Sequence, residues 1–329
     1  MKTVNYLLVV SLFMLAGCSD NINEPGNPQE QIEGTTIYYT TSNGKTIFPD
    51  GVEFERFGAN LVSDTYEDGQ GILVFDNTVS IGWGAFSDSR LTSIEIPSGV
   101  TSIGQSAFLD CSTLTHVTIP EGVISIGDWA FEWCEKLSHI NIPNSVISIG
   151  NMVFFGCESL PITNGVRYAG GCAVGVEDTS LTTYNLKNGT RFIDSNAFSQ
   201  CKNMRSIVIP NGVISIGSGS FSDCKSLTSI IIPNSVTEIR GNAFGWCTSL
   251  TSITIPDNVV LIGDNAFSYC ESLKEVNCKP KNPPVGGSGM FDYNASDRII
   301  YVPYESLQLY QLAPYWSHYT YFIEGAYFE

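Results

Sequence analysis

The chain has 329 residues, of which 43% are hydrophobic and 15% charged, with a formal net charge of −17 at pH 7. The apolar content can fill a sizeable core, and so acidic a chain without any basic stripe excludes nucleic acid as a partner. The length would suit two domains, but a repeat array can use all of it as one.

Lys2 precedes an apolar stretch from Val4 to Ala16, about half of what a membrane-spanning helix needs. It ends in Leu15-Ala16-Gly17-Cys18, which resembles a bacterial lipobox. The resemblance implies a signal peptide over residues 1–17, cleavage before Cys18 and lipid attachment there; the alternative is an ordinary secretory leader with a chance cysteine. One acyl chain anchors only marginally, at about 0.8 kcal/mol per buried CH₂, whereas the several chains of a mature lipoprotein would hold durably. The implied location is the outer membrane, exposed at the cell surface, with the membrane contacted through the N-terminal lipid only. Residues 18–35 are polar, acidic and contain Pro and Gly, so they read as a tether with little to bury.

Residues 36–78 read as an N-terminal β cap. Thr36 to Pro49 suggests a hairpin turning at Asn43-Gly44, and Gly71 to Asp76 a further extended stretch. Phe48, Phe54 and Phe57 are candidates to cover the first coil. Asp64, Tyr66 and Asp68-Gly69 resemble a calcium loop, but Tyr66 is a poor ligand and Phe75 stands where a closing Glu should be, which favours a surface loop.

Residues 79–278 carry an internal repeat. Its clearest copy is Leu250-Thr-Ser-Ile-Thr-Ile-Pro256, followed by Val259, Ile262, Gly263, Ala266, Phe267 and Cys270. Copies start at Leu91, Leu114, Leu137, Leu160, Leu181, Met204, Leu227, Leu250 and Leu273, spaced by 23 residues except for 21 between Leu160 and Leu181. A fixed period of this size marks a solenoid, because one coil cannot bury its apolar face alone. The β-branched positions suit a short strand that the proline ends, with strands of successive coils in parallel about 4.8 Å apart. The Ala-Phe-x-x-Cys segment reads as a short helical or 3₁₀ return. Phe108, Phe131, Phe154, Phe198, Phe221, Phe244 and Phe267 should then form an internal ladder. The repeat L-T-S-I-x-I-P-x-x-V-x-x-I-G-x-x-A-F-x-x-C resembles the BspA-type leucine-rich repeat family of bacterial surface proteins. The resemblance implies a leucine-rich repeat solenoid of about 23-residue coils with a parallel sheet on its concave side. Asp194 and Arg240 depart from it at the turn glycine, and Ser89 at the first cysteine.

Side chains between the inner strand positions face outward and should line the concave face. The candidate ligand-binding residues there are His116, Thr118, His139, Asn141, Thr183, Asn185, Val208, Ile231, Ser252 and Thr254. This row is polar, mostly neutral and poor in catalytic groups. His116 and His139 should stack, but Ile162 holds the equivalent place in the next coil, so no third ligand completes a metal site. No cofactor is implied. An insert at about 163–179, with Gly170-Gly171 between apolar runs, suggests a hairpin projecting from the solenoid, as a recognition finger or, better, a brace with Val174 and Val176 buried. Cys111, Cys134, Cys157, Cys201, Cys224, Cys247 and Cys270 share one repeat position and should point into the core as free thiols. Trp129, Trp133 and Trp246 lie on the return side, to cover a core edge or to stack on sugars.

Residues 279–329 form a C-terminal cap: an irregular Pro- and Gly-rich loop, an Ala-Phe echo at Met290-Phe291, a strand Ile299–Val302, and a short helix over Pro303–Ala313 with Leu307, Tyr310 and Leu312 apolar. Tyr315, Trp316, Tyr319 and Phe322 should seal the end. The whole implies a lipid-anchored, monomeric, non-enzymatic surface protein that adheres to host or matrix proteins. A glycan-binding component of a nutrient-capture system is the second reading. An enzyme on polysaccharide would need paired carboxylates converging in a cleft, which the outward positions lack.

Overall fold

The computed structural model describes residues 34–48 and 50–328. The leader, Cys18 and residues 18–33 of the tether lie outside the described residues. From Val79 onward the chain winds as stacked coils. In each coil the first, fourth and sixth positions of the repeat turn inward. Leu250, Ile253 and Ile255 are buried, whereas Thr254 between them is exposed. Equivalent residues pair in parallel from coil to coil: Ser93 with His116, His116 with His139, Thr183 with Ser206, and Ser252 with Glu275. A second ladder runs along the Ile-Gly step, joining Ile103, Ile126 and Ile149, and separately Ile193, Ile216, Ile239 and Ile262.

The return segments are tight turns, not the short helical or 3₁₀ segments expected. Among the described residues, helices occur only at Phe54–Phe57 and in the C-terminal cap. Each turn places two residues in the left-handed region, such as Asn265 at φ 55° and Tyr269 at φ 58°. The reason lies in the backbone hydrogen bonds. A helix would satisfy its groups internally and offer none to the next coil. These turns instead donate across coils, as from Phe221 N to Ala243 O (2.8 Å) and from Phe244 N to Ala266 O (2.7 Å). The close stacking also explains the turn glycine. A Cβ on Gly263 would lie 2.4 Å from the nitrogen of Gly241 in the preceding coil.

Phenylalanine rings stack along the inside of these turns. Centroids are 4.9 Å apart for Phe108 and Phe131, and 5.1 Å for Phe221, Phe244 and Phe267 in succession. The repeat cysteine locks the next step. Cys134, Cys247 and Cys270 donate their S–H groups to the carbonyls of Phe108, Phe221 and Phe244 at 3.1 Å. All nine described cysteines are free and buried. Burial raises Cys134 well above the usual thiol range, so the reactive thiolate is disfavoured.

The ladder breaks once, between Phe154 and Phe198, and the core divides there into two clusters. The insert occupies the break. It forms antiparallel strands Ile162–Thr163, Val166–Ala169 and Cys172–Val176. It does not project. Cys172–Val176 pairs in parallel with Phe192–Ile193 of the following coil. Val166, Tyr168 and Ala173 join the downstream cluster, and Ala169 and Cys172 the upstream one. The insert is thus a brace between two half-arrays. Val174 and Val176 are only half-buried, and Leu181, in the place of a buried coil leucine, is exposed, whereas Tyr184 and Leu186 at the fourth and sixth positions of that coil are buried.

Asp194 stands at the turn-glycine position of the first coil after this brace. No preceding turn crowds it, and its N–H donates to Ala173 O of the insert at 2.8 Å. The side chain therefore has room. Its carboxylate accepts from Phe154 N (3.1 Å) and from Ser195 N (2.7 Å), closing a backbone group that another turn would otherwise satisfy. Burial pushes this carboxyl up to about 6, against the pull of those N–H groups.

The caps differ in detail from expectation. The N-terminal strand Thr36–Thr41 does not form a hairpin with the residues after Asn43-Gly44. It pairs antiparallel with Gln70–Phe75 and with the first coil strand Leu91–Glu95. The hairpin is Leu61–Glu67 with Gln70–Phe75, turning at Asp68-Gly69, both with positive φ. Asp64 does not lie in the surface loop expected. It sits on that strand and accepts from Ile47 N (3.0 Å), Phe48 N (2.7 Å) and the Tyr39 hydroxyl. Phe57 and Phe75 extend the ladder over Phe86, but Phe54 is exposed. At the other end Phe291 continues the stack on Phe267 at 5.4 Å, as the Met-Phe echo suggested. The helix is shorter than expected, Leu307–Leu312 after a 3₁₀ turn at Tyr304–Ser306. Tyr310, Trp316 and Tyr319 are buried, with Leu312 and Tyr315 exposed. Trp316 Nε1 donates to Pro284 O at 2.8 Å and pins the cap to the loop.

Two outcomes follow. Phe244→Ala leaves a cavity between Phe221 and Phe267 and should cost about 3–5 kcal/mol in denaturant unfolding. Asp194 has a folded value near 6 against about 3.9 when unfolded. The native state alone holds its proton between these values, so its contribution to stability falls as pH rises from about 4 to about 6 and is level above. Asp194→Asn should remove that slope, seen by comparing unfolding midpoints of both proteins at pH 4.5 and pH 7; identical pH profiles would assign the slope to other groups.

Candidate ligand-binding face

The expected outward residues do face out. His116, Thr118, His139, Asn141, Thr183, Asn185, Val208, Ile231 and Thr254 are exposed, and Ser252 is half-buried. They do not share one sheet. Leu91–Glu95, His116–Thr118 and His139–Ile140 end one sheet, Thr183–Asn185 pairs with Ser206–Val208 in another, and Ser252–Ile255 opens a third. Around Ser229 and Ile231 the backbone carries no strand, although Ile230 and Ile232 still point inward. The inward periodicity holds the coil in register without the ladder. Ile231 is 83% exposed and Val208 59%, which makes them the apolar prominence of this face.

The break at the insert creates a pocket of about 430 Å³ on this face. His116, His139, Thr118 and Asn141 form one side; Pro161, Tyr168 and Lys187 form the other. The two imidazoles stack with centroids 4.2 Å apart and planes within 4°. Parallel pairing of equivalent positions brings them together. The Nδ1 atoms engage neighbouring hydroxyls, His116 with Thr115 at 3.0 Å and His139 with Ser138 at 2.9 Å. Among the described residues neither Nε2 has a protein hydrogen-bond partner. Among the described residues no cluster of three His, Cys, Asp or Glu side chains could hold a metal. Asn141 is less available than its exposure suggests. Its amide accepts from Ile119 N (3.0 Å) and donates to Ile119 O (2.9 Å), replacing a strand rung.

Lys187 and Tyr168 were not legible as site residues. Tyr168 is buried, its hydroxyl accepts from Lys187 N at 3.0 Å, and the Lys187 ammonium lies 4.2 Å from its ring centroid. Burial lowers the lysine from its usual value. Reading them would have needed the path of the insert, which the period does not give. No carboxylate lines the pocket. In a chain of net charge −17, this leaves a local site of imidazole, ammonium and hydroxyl donors suited to a ligand carboxylate or polyol.

The stacked coils and their outward donor row define a repeat-built binding protein. A family profile described as the BspA type leucine rich repeat region matches in six copies over residues 79–170 and 176–296. The chain belongs to this family, whose members are surface-associated bacterial proteins and typically non-enzymatic binders. The gap in the match, residues 171–175, covers Gly171 and most of the insert strand Cys172–Val176. No curated protein matches the chain. Among solved structures it is similar to a leucine-rich repeat protein of Bacteroides ovatus, with 24% identity, 75% of this chain and 69% of that one covered, and a TM-score of 0.39. It is similar also to a leucine rich cell surface protein of Faecalibacterium prausnitzii (22% identity, 81% and 86% covered, TM-score 0.37). The pneumococcal vaccine antigen PcpA gives 21% identity, 75% and 69% covered, and a TM-score of 0.36. No helix among the described residues is long and apolar enough to cross a membrane.

Proposed function

We propose that this protein is a lipid-anchored adhesin of the outer membrane, holding extracellular host or matrix protein through the outward row and its pocket. The observation that carries the reading is the carboxylate-free pocket where His116, His139 and Lys187 converge beside the exposed row. A rigid stack presents these groups without ordering cost on binding. Val208 and Ile231 supply apolar contact further along, and Thr183, Asn185, Ser252 and Thr254 supply hydrogen-bonding groups. The anchor is Cys18, followed by the polar, acidic tether. Capture of a glycan is the second reading, favoured by the hydroxyl-rich wall at Thr118 and Ser138.

The test is a panel of matrix proteins and a glycan array probed with wild type, His139→Ser with Lys187→Glu, and Ile231→Glu. Wild type should capture a protein ligand, and either variant should weaken it at least tenfold with unchanged melting temperature. Capture by glycans alone moves the assignment to the second reading; equal capture by all three proteins removes this face. Separately, Cys18→Ala should release the protein from the membrane fraction.

A further inference from the structure

The insert leaves a second cleft, on the turn side of the array, that none of the preceding roles uses. Ordinary coils supply strand, corner and return turn. After Cys157 the chain runs through the insert strands to the coil strands Thr183–Asn185 and Phe192–Ile193 with no Ala-Phe-x-x-Cys turn until Ala197-Phe198. The turn ladder therefore stops. Trp133 N donates to Phe155 O at 2.8 Å, and Gln200 N to Ser222 O at 2.8 Å, on the two sides of the gap. Across the gap, by contrast, the N–H groups of Met152 and Gly156 meet no protein acceptor among the described residues. The carbonyls of Ala197 and Ser199, at the places that receive such bonds elsewhere, meet no protein donor there. Only the middle position is closed, by Asp194 on Phe154 N.

The cleft measures about 400 Å³. Ser195 lies at its edge, where Ser195 and Ser218 reach Asn151 at 3.4 and 2.8 Å, and Gly156, Ala197 and Ser199 line it. Val174, Gly175 and Val176 line its base, and Phe155, 44% exposed, stands on one wall. Gly175 is informative. A Cβ there would meet nothing within 4 Å and its φ is ordinary, so the fold does not require glycine. A strand glycine weakens pairing, and here its one effect is an open base.

We propose that this cleft binds a peptide segment of a partner protein, which adds as the missing turn: a carbonyl accepts from Gly156 N, its N–H groups donate to Ala197 and Ser199, and an apolar side chain rests on Val174 and Val176. Unpaired backbone donors on one wall and acceptors on the other match a peptide's own alternation, as in strand addition to a sheet edge. The site is separate from the pocket at His116 and His139.

The probe is the protein's own ordinary turn, a fluorescein-labelled octapeptide Gly-Asp-Asn-Ala-Phe-Ser-Tyr-Ser, which is residues 263–270 with Cys270→Ser. Fluorescence polarisation on the full chain should show saturable binding, and hydrogen exchange should slow at the Gly156 amide. Gly175→Trp fills the base and should weaken binding at least tenfold with unchanged melting temperature. Should that variant unfold, Thr179→Trp at the exposed rim carries the same test. Absence of saturable binding, equal affinity in the folded blocked variant, or binding of maltoheptaose in place of the peptide would overturn the proposal. The matrix-protein panel is indifferent to all of these outcomes.

Discussion

Every coil depends on its neighbour for the groups it cannot satisfy itself. Alternate turn N–H groups of one coil find their acceptors in the next, as Phe244 N does in Ala266 O, and the cysteine thiol reaches back to the carbonyl of the preceding phenylalanine. Apolar faces obey the same rule, since Phe244 is covered by Phe221 and Phe267. Stability is therefore a sum over nearest-neighbour interfaces, and any interruption must be closed by something other than another coil.

The chain closes its interruptions in three chemically different ways. At the start, an antiparallel sheet lies along the first coil strand, and Phe48 and Phe57 cover Phe86. At the end, Trp316 and Tyr319 pack on Phe291 with their polar ends bonded to Pro284 O and Asp292. In the middle, the insert fills the core and a buried carboxylate caps one amide. This last solution is incomplete by construction. It leaves a pocket on the strand side and a cleft on the turn side, and both concentrate the unusual groups of the molecule. Elsewhere the surface repeats.

This explains why so regular a scaffold can carry binding specificity. The repeat forces equivalent residues to stack, so His116 and His139 align without other support. Stacking alone gives a uniform ribbon of small polar side chains. The insert adds what the ribbon lacks: a wall bearing Tyr168 and Lys187. Carboxylates that dominate the chain's charge are absent from that wall, so the pocket is electrostatically distinct from its surroundings.

The sequence by itself determined the coil. A 23-residue period with leucine, isoleucine and phenylalanine in fixed phase permits one packing, because each apolar position has only its own counterpart to meet, and the Phe and Cys ladders were readable from it. The outward row followed from strand alternation, a local rule that held even at Ile231, where no strand forms. The tertiary structure decided everything that involves a departure from the period. The return segments became turns because their hydrogen bonds go to the next coil, a contact no local propensity contains. The insert became a brace because both half-cores needed its side chains. Asp194 in place of glycine read as a local variation, yet its carboxylate bonds a residue 40 positions earlier in the chain. Lys187 and Tyr168 likewise meet His139 only across the break. Distances of that kind depend on where the chain returns in space, and the return path at an interrupted repeat is fixed by packing and not by period.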